Sequence, residues 1–253
     1  MKSIRSGRVF VLVVLSLSAV AVLGLCDDAS AVPVLIISRG ALGETDFIDW
    51  GSLGPAGTLV ASPFTISSNG GGNGATVSEA SGQFKTVDQC GSGSCDPIKG
   101  WGGSFASGDH LLFTGGSNGP MTIQFSTPVA GAGAQIEANF LAPFVATLDV
   151  YDTSNTKTTF SLAGVTKQTT GDNSAIFLGA RDTTVDISKI VYSTVSPGFT
   201  SENNAFAINR LSLTSNPAVV PEPSTLALLT SALPILAFGM RMRGKNRRIF
   251  PQA

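Results

Sequence analysis

The chain has 253 residues, with 16 Lys and Arg against 17 Asp and Glu, a single histidine and a formal net charge of −1. One histidine leaves no room for a site built from several imidazoles. The absence of a Lys/Arg stripe between the two ends argues against a nucleic-acid surface.

The first 31 residues read as an export signal. Lys2, Arg5 and Arg8 form a positive n-region, Val9 to Leu25 an apolar stretch, and Ala29-Ser30-Ala31 supplies small residues at the −3 and −1 positions of a signal-peptidase site. Cleavage after Ala31 would make Val32 the first mature residue. Cys26 offers a rival lipoprotein reading, which Leu25 disfavours because that box wants a small residue before its cysteine.

Residues 32–219 carry 8 Lys and Arg against 14 Asp and Glu, so the body is acidic once both ends are set aside. About 188 residues are enough for one sizeable domain. No long 3.6-residue apolar period occurs, whereas short β-rich runs recur between turn residues. In chain order the candidates are Val34–Ser38, Phe47–Leu53, Thr58–Ser67, Ala75–Thr86, His110–Thr114, Met121–Ser126, Ala134–Phe140, Phe144–Tyr151, Thr158–Leu162, Ala175–Gly179, Ile187–Ser193 and Ala205–Thr214. In the last run Phe206 and Ile208 share one parity and Leu211 and Leu213 the other, which a bulge near Asn209-Arg210 would reconcile. The pattern predicts an all-β fold, an antiparallel two-sheet sandwich.

Asn69 to Gly74 reads as a hairpin tip and Gly91 to Gly108 as a long Gly-rich loop; neither precedes a helix, as a phosphate cradle would need. With Cys26 removed, Cys90 and Cys95 remain, separated by Gly91-Ser92-Gly93-Ser94, and an oxidising exterior favours a disulfide worth roughly 2 kcal/mol. A redox pair or a zinc pair fits the spacing poorly. His110 reads as a strand-edge residue rather than a catalytic base. Glu44 with Asp46 or Asp49 could be imagined as a glycosidase pair, and Asp152 with Asn155 or Asp172 with Asn173 as calcium ligands, although turns use such residues for backbone reasons. The expectation is a non-enzymatic body without a resident metal or cofactor. Trp50 is expected in the core. Trp101, inside the Gly-rich loop, is a candidate ligand contact, an indole that could project to stack on a sugar ring or pack into the body.

The chain closes on Val220-Pro221-Glu222-Pro223-Ser224, the uncharged run Leu226–Met240, and Arg241, Arg243, Lys245, Arg247 and Arg248. The prolines forbid regular structure through the box, and Ser224 or Thr225 can cap a following helix. Fifteen residues of helix span roughly 22 Å, short of a bilayer core of roughly 30 Å, and Pro234 would kink them. The basic cluster places the extreme end in the cytoplasm.

This tail resembles the PEP-CTERM sorting signal. The resemblance implies recognition of Pro221, Glu222 and Pro223 by a membrane-embedded exosortase, cleavage near the box, and delivery of the body to the cell surface or extracellular matrix. Within the body, Pro120 to Ser126, Gly133 to Glu137, Thr147 to Asp152, Gly171 to Gly179, Asp186 to Ile190 and Phe206 to Leu211 together resemble a globular domain that recurs in secreted PEP-CTERM proteins. That likeness implies a jelly-roll-like sandwich similar to carbohydrate-binding modules, with no catalytic residues to transfer. The expected organisation is a signal helix over 1–31, a sandwich over 32–215, a linker over 216–225, a short transmembrane helix over 226–240 and a basic tail over 241–253. The expected function is binding of, or packing with, exopolysaccharide. A protein-binding adhesin is the alternative, and a carboxylate-dependent glycoside hydrolase the third reading.

Overall fold

The computed structural model describes residues 32–91, 95–96, 98–167 and 171–216. The expected cleavage residues Ala29 and Ala31, the sorting residues Pro221, Glu222 and Pro223, and the segment 226–240 lie outside the described residues.

Among the described residues the fold is all-β: two sheets packed face to face. In chain order the strands are β1 (Val34–Ile36), β2 (Asp46–Ile48), β3 (Leu59–Ala61), β4 (Phe64–Ser67), β5 (Gly74–Glu79), β6 (Gln83–Gln89), β7 (Gly100–Trp101) and β8 (His110–Phe113). There follow β9 (Met121–Val129), β10 (Gly131–Ala138), β11 (Pro143–Asp152), β12 (Lys157–Val165), β13 (Ile176–Arg181), β14 (Ile187–Val195), β15 (Phe206–Ile208) and β16 (Leu211–Thr214). One helical turn, α1 (Arg39–Leu42), follows β1. The first sheet runs β1-β13-β10-β15-β8-β6-β3, with β16 paired to β10, β2 to β16 and β7 to β6 off this path; the second runs β12-β11-β14-β9-β5-β4. Every pairing is antiparallel except β6 with β7.

Alternation explains the second sheet. In β11, Phe144, Ala146, Leu148 and Val150 point inward and are buried, while Val145, Thr147 and Asp149 face out. The turn after it is closed by Asp152, whose Oδ1 accepts the Thr156 N–H at 2.7 Å, and by Asn155 at φ 63°. Asn is among the few side chains that tolerate this left-handed conformation. From the first sheet, Ala132, Ala134, Ile136, Leu178, Phe206, Ile208, Leu211 and Leu213 join Val77, Met121, Ile123 and Ile190 of the second in one core. Each large apolar side chain so buried contributes about 1.5–3 kcal/mol. Tyr192 crosses this core from β14 and donates its hydroxyl to the Leu178 carbonyl of β13 at 2.8 Å. Burial raises its phenol pKa well above the ordinary tyrosine value.

Three expected strands break in two. Thr58–Ser67 divides at Ser62-Pro63, a cis bond, because proline cannot continue the ladder. Ala75–Thr86 breaks at a turn around Gly82, at φ 87°, and crosses from the second sheet to the first. Phe47–Leu53 stops at Ile48 and becomes a 3-10 turn over Trp50–Leu53, capped by Asp49, whose Oδ1 accepts the Gly51 N–H at 3.0 Å.

The run through β15 and β16 carries the expected bulge. Ile136 pairs with Ile208 and Gly133 with Ser212, so three steps along β10 face four along its partner. The extra residue flips side-chain parity and lets Phe206, Ile208, Leu211 and Leu213 all point inward. Beyond the bulge the sheet forks, β15 continuing to β8 and β16 to β2.

Candidate functional site

All eight residues of β10 are buried, although a sheet in a simple sandwich has one wet face. The outward residues Gly131, Gly133, Gln135 and Glu137 are covered by two pieces of chain. At one end α1 lays Leu42 over Gly131: a Cβ built at Gly131 would come within 3.0 Å of Leu42 Cδ1. At the other end the Gly-rich segment folds Trp101 and Phe105 onto Val87, Leu111 and Ala207, forming a second small apolar cluster. Between these covers the sheet carries a polar patch and a cleft.

The patch is organised by the bulge residue Asn209. Its Oδ1 accepts the Gln135 backbone N–H at 2.9 Å and Arg39 Nη2 at 3.2 Å. Its Nδ2 donates to Gln135 Oε1 at 2.6 Å and Asp109 Oδ2 at 2.9 Å. The Asn209 carbonyl receives the Trp50 indole N–H at 2.8 Å. Gln135 Nε2 donates onward to Asn173 Oδ1 and the Ala175 carbonyl, both at 3.0 Å. Arg39 is fixed by Ser212 Oγ at 2.9 Å and lies 3.6 Å from Glu44, which also holds Arg210 at 3.0 Å. Burial lowers the Arg39 pKa, and neighbouring Arg210 adds to that, against the raising effect of Glu44 and Asp109.

Above this patch opens a cleft of about 410 Å³, lined by Ile37, Leu162, Ile176, Ser38, Arg39 and Asn173, with the nearly buried Phe177 beneath the Arg39 guanidinium, 5.9 Å from its ring centroid. Phe177 stands opposite Gln135 across the β10–β13 ladder. Its ring lies against two glycines: a Cβ at Gly133 would meet Phe177 Cζ at 2.7 Å, and one at Gly179 would meet Cε1 at 2.9 Å. The cleft thus offers an apolar lining with amide, hydroxyl and guanidinium groups around it, the composition of a small-ligand site.

Trp101, whose exposure the sequence left open, lies inward. It is 6% exposed, and its indole N–H donates to Glu137 Oε2 at 2.9 Å. The Ser104 N–H reaches the same oxygen at 2.9 Å. The physical reason is the carboxylate on β10: burial raises its pKa, and the Trp101, Ser104 and Lys167 donors oppose that rise. Gly103 allows the approach, since a Cβ there would sit 1.9 Å from Glu137 Oε2. Only an edge of Trp101 lines a second, smaller hollow of about 220 Å³, with Asn139, Leu141 and Thr166.

Other sequence-derived candidates fall in structural roles. Cys90 and Cys95 form the expected disulfide, with Cα atoms 5.5 Å apart. Trp50 is fully buried. His110 opens β8 as an exposed residue with Nδ1 2.8 Å from Asp88 Oδ1, a hydrogen bond that raises its pKa against the opposing effect of burial. Glu44 is committed to two arginines, Asp46 accepts the Phe47 and Gly70 N–H groups, and Asp49 caps a turn, so these three hold loops in place. Asp172 Oδ1 accepts the Ser174 N–H and hydroxyl. Among the described residues no three His, Cys, Asp or Glu side chains are grouped to hold a metal ion.

Sequence reasoning missed Arg39, Gln135, Asn173, Phe177 and Asn209 as a group. The available signal was Gln135 and Glu137 in an otherwise small and apolar strand, since polar residues there must find partners on a covered face. Compared with known protein families and with curated proteins, the chain matches none.

Proposed function

We propose that the chain is an exported, non-enzymatic protein of the cell surface or extracellular matrix whose jelly-roll-like sandwich binds exopolysaccharide in the cleft over Phe177. Signal peptidase releases it after Ala31. An exosortase then handles the Pro221-Glu222-Pro223 box while the segment 226–240 holds the chain in the membrane. The observation that carries the binding reading is the cleft itself: Ile37, Leu162 and Ile176 present an apolar surface for the C–H face of a sugar ring, ringed by Ser38, Arg39 and Asn173. The disulfide between Cys90 and Cys95 supports an oxidising exterior. The test is retention of the full chain on immobilised bacterial polysaccharides, with Ile37→Glu as the control. Ile37 is 63% exposed at the cleft wall, so its replacement blocks the mouth without emptying the core. Failure to bind any glycan would overturn the reading. Mass spectrometry of the exported protein tests the tail: peptides covering Arg241–Arg248 in that form would refute processing at the box.

A protein-binding adhesin has one observation in its favour. On the outer face of the second sheet Val145 stands beside Val195 and Ala163, and exposed Leu141 and Val165 lie near a stacked pair, Phe140 and Phe199, with ring centroids 4.1 Å apart. Exposed apolar clusters of this kind mark contact surfaces. A chain that neither self-associates in sedimentation nor binds cells would remove this alternative.

A further inference from the structure

Around the cleft over Phe177 the side-chain acceptors are already committed and the donors are not. Ser38 Oγ accepts the Ala41 N–H at 3.3 Å. Asn173 Oδ1 accepts from Gln135 Nε2 at 3.0 Å, and Gln135 Oε1 accepts from Asn209 Nδ2 at 2.6 Å. The Glu44 carboxylate is shared between Arg39 and Arg210, and Asp109 lies behind Asn209. What is left among the described residues is the Nη1 group of Arg39, the Nδ2 amide of Asn173 and the hydroxyl hydrogen of Ser38. Arg39 uses Nε on Ser212 and Nη2 on Asn209, so among the described residues its third nitrogen has no hydrogen-bond partner. Among the described residues Arg39 is also the only charged side chain lining the cleft.

A site that offers donors and one positive charge, with no carboxylate of its own on the lining, fits a ligand that brings acceptors and a negative charge. We infer that the cleft recognises the carboxylate of an acidic polysaccharide, a uronate residue whose ring lies against Ile37, Leu162 and Ile176 and whose carboxylate lies between Arg39 and Asn173. The inference rests on the polysaccharide reading above and narrows it. Neutral glycans, whose hydroxyls need acceptors as well as donors, are poorly served by this rim.

Asn173 is the lever for the test. It sits at φ 61°, a conformation that Asn and Asp both tolerate, and Asn173→Asp keeps the oxygen that Gln135 needs. The change replaces the cleft-side donor with a charged acceptor. Arg39→Gln is the less clean variant because Arg39 also holds Ser212 and Asn209. The full chain is titrated by calorimetry with oligogalacturonate, with the same oligosaccharide methyl-esterified, and with neutral gluco-oligosaccharides of equal length.

The expected result is binding of the free acid, at least about tenfold weaker binding of the ester, and at least about tenfold weaker binding of the acid to Asn173→Asp at unchanged melting temperature. Added salt weakens binding of the acid. Equal binding of acid and ester, or an Asn173→Asp chain that binds the acid normally, overturns the inference and leaves the polysaccharide reading standing. Preference for the neutral oligosaccharides does the same. A chain that binds no glycan sinks both.

Discussion

Replacing Trp101 with Phe isolates one bond. The smaller ring still fits the cluster with Phe105 and Phe113, whose centroids lie 6.3 and 5.4 Å from the indole, but Glu137 Oε2 loses the donor it holds at 2.9 Å. Glu137 is 1% exposed, so water cannot replace that donor. Taking one partner from a buried charged acceptor costs about 2 kcal/mol. In a body of this size the loss lowers the melting temperature by about 4–8 °C. The cost depends on pH with a defined sign. Burial raises the Glu137 pKa above the ordinary 4.5, so the native chain keeps this proton longer than the unfolded chain does. Stability therefore falls as pH rises from 4.5 through the native value, and the indole N–H, which favours the ionised form, limits that fall. Thermal unfolding followed by circular dichroism at ~pH 4 and ~pH 8 should find the deficit smaller in acid. In a Glu137→Gln background it should shrink to an ordinary hydrogen bond, about 1 kcal/mol. A Trp101→Phe chain melting within about 1 °C of the parent at both pH values would refute the buried pairing.

Glu79 has both carboxylate oxygens buried without a hydrogen-bond partner, and burial pushes its pKa up to about 7. Its share of stability is lost as pH rises from 4.5 through about 7, so Glu79→Gln should flatten that part of a melting-versus-pH curve; an unchanged slope would contradict it. Asn209→Ala removes the hub of the polar patch and strands the Gln135 N–H and its amide, and chemical denaturation should register a loss of about 2–4 kcal/mol. Gly133→Ala drives a methyl to within 2.7 Å of Gly179 Cα and of the Phe177 ring. It should cost about 1–3 kcal/mol and weaken glycan binding by displacing the ring beneath Arg39, whereas full stability with normal binding would show that the ring yields freely.

The alternation in β9 and β11 was legible because each strand has one wet face, and the bulge at Asn209-Arg210 was legible because parity changes there. The broken strands were less so. Pro63 inside Thr58–Ser67 was a warning that residue spacing alone ignored. The site was hidden for a different reason. Gln135, Arg39, Asn173 and Asn209 lie far apart in sequence and meet only after the two covers fold over β10. Trp101 was left between exposure and burial because glycines surround it, yet those glycines are what bring its indole onto a buried carboxylate. Local composition records loop flexibility and does not record a partner 36 positions away.

The two ends of the body leave from one row of the first sheet. Val34 pairs with Arg181, Arg181 with Gly131, and Gly131 with Thr214. The first and last strands are thus three strand spacings apart, about 14 Å. The cleft lies further along the same ladder, at Gln135 and Phe177. If the body is tethered through its C-terminal end and loaded at the cleft, as proposed, it is stretched along β16 rather than across it. Its hydrogen bonds to β10 and β2 stand perpendicular to the pull and share the load together instead of opening one after another. Such an arrangement would suit the proposed role, in which the body stays folded under tension between a surface and a gel.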